Sequence, residues 1–284
     1  MPTRARTALR GAGAGVILLA ITWYLTFHLA LAGRADRAIL NGFGGLQRAR
    51  VDQVTNFIAN LCDPQPYVYL AAIVVVVALI RRRPRVAVAV GMIILGANLT
   101  SQLLKPLLAG TRTVPVPGFT ISAASWPSGH ATAAMTLALC SVLVAPARWR
   151  PAVGALMAGF AVAVCYSFLE LGWHYPTDVL GGFLVASTWT LLGVGALYWL
   201  EERRPVRRPL TDASAGERVS LAGALAPVGI LILAALVLTG IVALARPHEV
   251  LAYASAHSAF ILGAAAIAAC GLTMATAAAV ALRR

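Results

Sequence analysis

Residues 66–108 read PYVYLAAIVVVVALIRRRPRVAVAVGMIILGANLTSQLLKPLL. Positions 66–80 carry no charge, four arginines follow (Arg81, Arg82, Arg83 and Arg85), and a second apolar run extends to Lys105. A helix rises 1.5 Å per residue, so apolar runs of about 17–25 residues cross a hydrocarbon core of about 30 Å. Two such runs joined by a short arginine-rich turn read as a transmembrane hairpin with its turn at the headgroups. The runs are continuous rather than alternating, which argues against spanning β-strands.

The same pattern recurs outward from this hairpin. Of 284 residues, 60% are hydrophobic and only 12% charged, against about 25% charged in soluble domains. Eight spans are expected, at about 11–33, 66–80, 86–108, 129–144, 152–172, 176–200, 221–245 and 258–282. The fold class is therefore all-α, a polytopic transmembrane helical bundle. Residues 1–200 form a six-span core, 201–220 a charged, proline-containing cytoplasmic linker, and 221–284 two additional transmembrane helices. With the N-terminus cytoplasmic, sixteen of the 23 basic residues fall in inner segments and seven in outer ones. That is the bias of the positive-inside rule, and it places both termini in the cytoplasm of a multi-pass cell-membrane protein.

The net charge of +13 would suit nucleic acid, but the basic residues sit between apolar runs, as topology signals do. The expected partners are membrane lipids, not nucleic acid. Arg4, Arg6 and Arg10 before a run ending Ala30-Leu31-Ala32 resemble a cleavable leader. The run exceeds a leader's apolar core of about 7–15 residues, so a retained anchor is favoured. Between spans one and two, Ile39, Leu40, Phe43, Leu46, Val51, Val54, Phe57 and Ile58 recur at helical spacing, which fits a helix on the membrane surface or a packed outer loop. Cys62, Cys140, Cys165 and Cys270 show no metal-ligand spacing.

Chemistry-bearing residues gather at the outer ends of the spans. Lys105, the chain's single lysine, ends span three, and Arg112 follows seven residues later. Two cations there can clamp a phosphate or merely snorkel. Ser128 is placed to cap span four, Gly129 lets an oxygen approach the backbone, and His130 stands in the first turn. Such a histidine is either a satisfied interfacial residue or a proton donor to a leaving oxygen. In the third cluster Pro176 suits a helix start, and Asp178 lies four residues after His174, where a carboxylate can hold one imidazole nitrogen and free the other to attack. Three polar clusters at one membrane depth favour a site over three anchors.

Together these residues resemble the type 2 phosphatidic acid phosphatase superfamily. Lys105 and Arg112 match its first motif, with Thr113 in place of proline. Pro127, Ser128, Gly129 and His130 match the second, and Ser167, Gly172, His174, Pro176 and Asp178 the third. The resemblance implies a metal- and cofactor-independent phosphatase. His174 would be the nucleophile that forms a phosphohistidine, Asp178 its orienting carboxylate and His130 the general acid and base. Lys105, Arg112, Ser128 and Gly129 would bind the phosphoryl oxygens. The implied substrate is a lipid phosphate or polyprenyl pyrophosphate, met on the extracytoplasmic face.

Phe168 stands where the family carries a phosphoryl-binding arginine after Ser167, and Glu170 adds a negative charge two residues on. Arg34 or Arg37 is the candidate replacement cation. A catalytically silent relative that binds phospholipid or a partner protein is the first alternative, a lipid phosphotransferase with the same residues another. A transporter would place polar groups near the midplane, whereas the ionisable residues here cluster at one face and His28 is the only histidine expected well inside the membrane. His248 and His257 lie outside the motifs and read as structural.

Overall fold

The computed structural model describes residues 3–112, 114, 116, 118–205 and 219–282. Of the described residues 84% are helical, and none lies in a strand. In chain order the helices are α1 (Thr3–His28), α2 (Ala30–Gly44), α3 (Ala49–Asn60), α4 (Pro64–Ile80), α5 (Pro84–Leu107), α6 (Gly129–Val144), α7 (Arg150–Glu170), α8 (Pro176–Arg203), α9 (Leu221–Ala245), α10 (Pro247–Ala256) and α11 (Ser258–Ala281). All eight expected spans are helical. Thr113, Arg207, Arg208, Arg218, Arg283 and Arg284 lie outside the described residues, as does most of the expected linker.

Among the described residues, six helices are long and apolar enough to cross a membrane alone: α1, α5, α7 with its preceding turn, α8, α9 and α11. The chain is a multi-pass membrane protein. Two of the eight expected spans fall short by themselves. Helix α4 reaches the length only together with α3, from which it is bent by 53°. Helix α6 has 16 residues, about 24 Å. Span one also differs from expectation. The chain leaves helical geometry at Leu29 (φ −105°, ψ 111°) and restarts as α2, so the apolar run is two helices.

Helix α6 is the hub, packed by α4, α5, α7, α8 and α11, and nearly every side chain along it is buried. That explains its even apolarity: no face meets water or lipid. Helix α1 lies along α8. The segment between spans one and two is neither one helix nor a loop. Leu40 and Phe43 of α2 are buried in protein, whereas Val51, Val54 and Phe57 of α3 are exposed.

The two additional helices have unlike surroundings. Helix α9 touches α7 and α11, and Ala224 is its one buried residue. Helix α11 is built into the core against α7, α2, α6 and α8. With α10 it grips α2: the Phe43 and Phe260 rings meet edge to face at 4.8 Å, and the Tyr253 hydroxyl donates to the Gly42 carbonyl. A β-carbon on Gly42 would stand 2.2 Å from the Phe260 β-carbon. Glycine is what lets the helices approach this closely. Gly42→Ala is expected to lower stability by about 1–3 kcal/mol through overpacking, read as a fall of several degrees in Tm in detergent.

Candidate active site

The site forms where the N-terminal ends of α6 and α8 meet the C-terminal end of α7. Helix α7 ends in a left-handed glycine, Gly172 (φ +71°). The Trp173 N–H donates to the Phe168 carbonyl at 2.9 Å and the Gly172 N–H to that of Leu169 at 3.1 Å. This pairing closes the last turn and needs a residue that tolerates positive φ. The reversed chain delivers His174 just before Pro176 starts α8. Asp178, at the third position of α8, accepts the Tyr175 N–H at 2.9 Å. His174 Nδ1 lies 3.3 Å from the same oxygen, Oδ2. His174 is 7% exposed and Asp178 0%, so solvent does not compete for the contact, and Nε2 is left for another partner.

Ser128 caps α6, its hydroxyl accepting the Ala131 N–H at 3.3 Å. The Ser128 N–H donates to the Asp178 carbonyl at 3.0 Å, which ties the second motif to the third. The helices close in because Gly182 lacks a side chain: a β-carbon there would meet the Ser128 carbonyl at 2.7 Å. His130 consequently faces His174, with ring centroids 6.3 Å apart. Lys105 reaches the start of α6 from α5, its Nζ 3.4 Å from where a Gly129 β-carbon would be. The Gly129 N–H opens the helix and has no intrahelical acceptor. A cation and a helix start thus lie side by side, an arrangement that attracts anions.

Arg112 is placed differently from a free clamp. Its Nη2 donates to Asp178 Oδ1 and to Ser125 Oγ at 3.4 Å, and its Nη1 to Thr177 Oγ1 at 3.1 Å. Asp36 Oδ2 of α2 lies 3.7 Å from Nη1. The guanidinium also rests over the Phe27 and Tyr175 rings, at 4.6 and 4.4 Å. Its charge is therefore shared by two buried carboxylates.

Phe168 fills the space between the histidines, wholly buried, its ring 5.2 Å from His174 and 6.0 Å from His130. Glu170 turns away to α3, where Thr55 donates to its Oε2 at 2.8 Å. Arg34 and Arg37 are exposed on α2 and none of the site contacts involves them. The remaining histidines lie elsewhere: His28 packs on Trp23 and Tyr24, and His257 stacks on Tyr253.

Two carboxylates in the site have no motif to announce them. Asp36 accepts the Thr177 N–H at 3.0 Å and the Thr177 hydroxyl at 2.6 Å. Asp63, before α4, lies 3.0 Å from His130 Nε2 and is partly open to solvent. No group of three or more metal-ligating side chains occurs among the described residues.

Parts of this chain are similar to known proteins. Residues 85–205 match the PAP2 superfamily. Lys105, Arg112, His130, His174 and Asp178 all fall within the matched segment, whereas Asp36 and Asp63 precede it. An undecaprenyl-diphosphatase of Sulfolobus acidocaldarius is 34% identical over 84 residues, 30% of this chain and 37% of that protein. The chain thus spans little more than a third of that relative's length. The crystal structure of a transmembrane PAP2-type phosphatidylglycerolphosphate phosphatase from Bacillus subtilis superposes with a TM-score of 0.57 at 22% identity. The superposition covers 69% of this chain and 98% of that one. At that identity the likeness speaks for the fold, an all-α membrane bundle.

Proposed function

We propose that the protein is a membrane lipid-phosphate phosphatase that hydrolyses a phosphomonoester or diphosphate on a lipid or polyprenyl tail through a phosphohistidine. The observation that carries this reading is the facing pair of histidines, one held at Nδ1 by a buried carboxylate. His174 Nε2 attacks phosphorus, and the bond to the leaving oxygen breaks as His130 gives that oxygen its proton. Asp178 fixes the attacking tautomer and balances the imidazolium. His130 then takes a proton from water, which displaces His174 and releases phosphate. Lys105 and the Gly129 N–H receive phosphoryl oxygens. Arg112 joins them by exchanging a carboxylate partner for a phosphoryl oxygen, while Ser128 holds the start of α6. Such catalysis is mostly positioning and electrostatics. The arginine bias supports cytoplasmic termini and a site at the extracytoplasmic face.

The names of the two relatives support this substrate class, one acting on a polyprenyl diphosphate and the other on a phospholipid phosphomonoester. The test is phosphate release by the purified protein in detergent from a panel of lipid phosphates and diphosphates. Release from at least one member is expected. Silence across the panel from folded protein would remove the proposal.

Phe168 favours one second reading, a silent relative that binds phospholipid without cleaving it. Phe168→Arg separates the two. With a cation returned beside His174, kcat/KM should rise by about 10-fold or more, the scale of one charged donor at a phosphoryl group. A variant that cleaves where the wild type does not identifies the silent relative.

A further inference from the structure

We propose that Asp36, on α2 and outside the segment shared with the PAP2 superfamily, is a positioning residue of the reaction: it fixes the first turn of α8 and the Arg112 guanidinium, and through them the Asp178–His174 pair. This rests on the function proposed above.

Asp36 is 2% exposed, and each of its contacts leads to the nucleophile. Thr177 precedes Asp178 in the chain. By accepting both the N–H and the hydroxyl of Thr177, Asp36 caps α8 from another helix. It fixes the turn that carries Asp178 and supplies negative charge where a helix start favours it. Arg112 touches Asp36 with one nitrogen and Asp178 with the other. The arginine thus bridges two carboxylates that would otherwise repel, and it stays rigid between the Phe27 and Tyr175 rings.

The charged and titratable groups facing Asp36 are Arg112, Asp178 and Tyr175. Burial pushes the Asp36 carboxyl up to about 7, with the bond from Thr177 opposing the rise. Its ionisation falls where the reaction would be measured, so the cage around Arg112 gains a negative charge as pH rises through neutrality.

The test compares wild type, Asp36→Asn and Thr177→Val on the best substrate of the panel, from pH 5 to pH 9. Asp36→Asn should lower kcat by about 10-fold or more, the scale for removing an outer partner of an active-site group. KM should stay within about twofold, because the group acts on the reacting pair rather than on binding. The limb of the pH profile near 7 should flatten. Thr177→Val should lower kcat in the same direction by a smaller factor. The second readout is NMR titration of histidine-labelled protein, with His174 assigned by its loss in His174→Ala. Its titration should shift in Asp36→Asn, which a merely structural residue would not cause. Unchanged kcat, pH profile and His174 titration in folded Asp36→Asn overturn the proposal. Where Asp36→Asn fails to fold, Thr177→Val decides on the same readouts. If no panel member is cleaved by wild type, the proposed function fails, and the titration still decides the role of Asp36.

Discussion

His174→Ala should reduce phosphate release by about four orders of magnitude or more, the scale on which a nucleophile acting in concert with its partners is lost. The argument is geometric. His174 is buried, its Nδ1 is committed to Asp178, and His130 faces it across 6.3 Å. The other histidine in the site, His130, has its Nε2 against Asp63 at 3.0 Å and lacks the Asp178 partner that orients His174. Stability should also fall, since the bond to Asp178 and the ring contacts with Phe168 and His130 are lost, so release is compared on folded protein. A transfer assay with phosphorus-labelled substrate sharpens the test: wild type should carry acid-labile label, and His174→Ala none. Asp178→Asn should retain the nucleophile but misplace its proton, with a loss of similar order. A His174→Ala protein that keeps a tenth of wild-type release would sink the phosphohistidine assignment.

The second large effect is on folding. Arg112→Met should destabilise the protein by about 3–5 kcal/mol, because it strands Asp36 and Asp178 as buried, uncompensated carboxylates. The loss has a pH signature. Burial raises the Asp36 carboxyl from 3.8 to about 7. The folded state therefore holds a proton that the unfolded chain has released, and this group's destabilising contribution grows from about pH 4 to about pH 7. Removing Arg112 takes away a charge that opposes this. The gap in Tm between wild type and Arg112→Met should widen from pH 5 to pH 8. Asp36→Asn added to Arg112→Met should recover part of the loss, since one of the two charges is gone. An Arg112→Met protein as stable as wild type at pH 8 would show that the cage carries no such energy.

The sequence made much of the fold legible because membrane helices announce themselves one at a time. Apolar length, arginine-rich turns and Pro176 marked the spans after the first to within a few residues, whereas α1 begins eight residues before the expected start of span one. The break at Leu29 was not legible, since the apolar run continues through it and the restart as α2 reflects packing against α7, α8 and α11. The motif residues were legible through local spacing, and the structure brings His130, His174, Asp178, Arg112, Lys105, Ser128 and Gly129 to one end of the bundle. What spacing could not show was the occupancy of Arg112, whose partner Asp36 is distant in sequence. A signal did exist. Asp36 stands four residues before Leu40 and seven before Phe43, on the face that α2 buries. An acid on an apolar face calls for a partner. Asp63 gave only the weaker cue of a residue before a proline-led helix.

The shortness of α6 has a kinetic consequence. At about 24 Å it cannot reach both boundaries of a core of about 30 Å. With its far end level with one boundary, its first turn, which carries His130, would stop about 6 Å short of the other. A phosphate tethered to a hydrocarbon tail arrives there by lateral diffusion and needs no transfer from bulk water. A soluble ester with the same head must shed its hydration to follow. For the function proposed, turnover should track the mole fraction of substrate within the micelle or leaflet and fall on surface dilution with inert lipid, even when the bulk concentration is held constant.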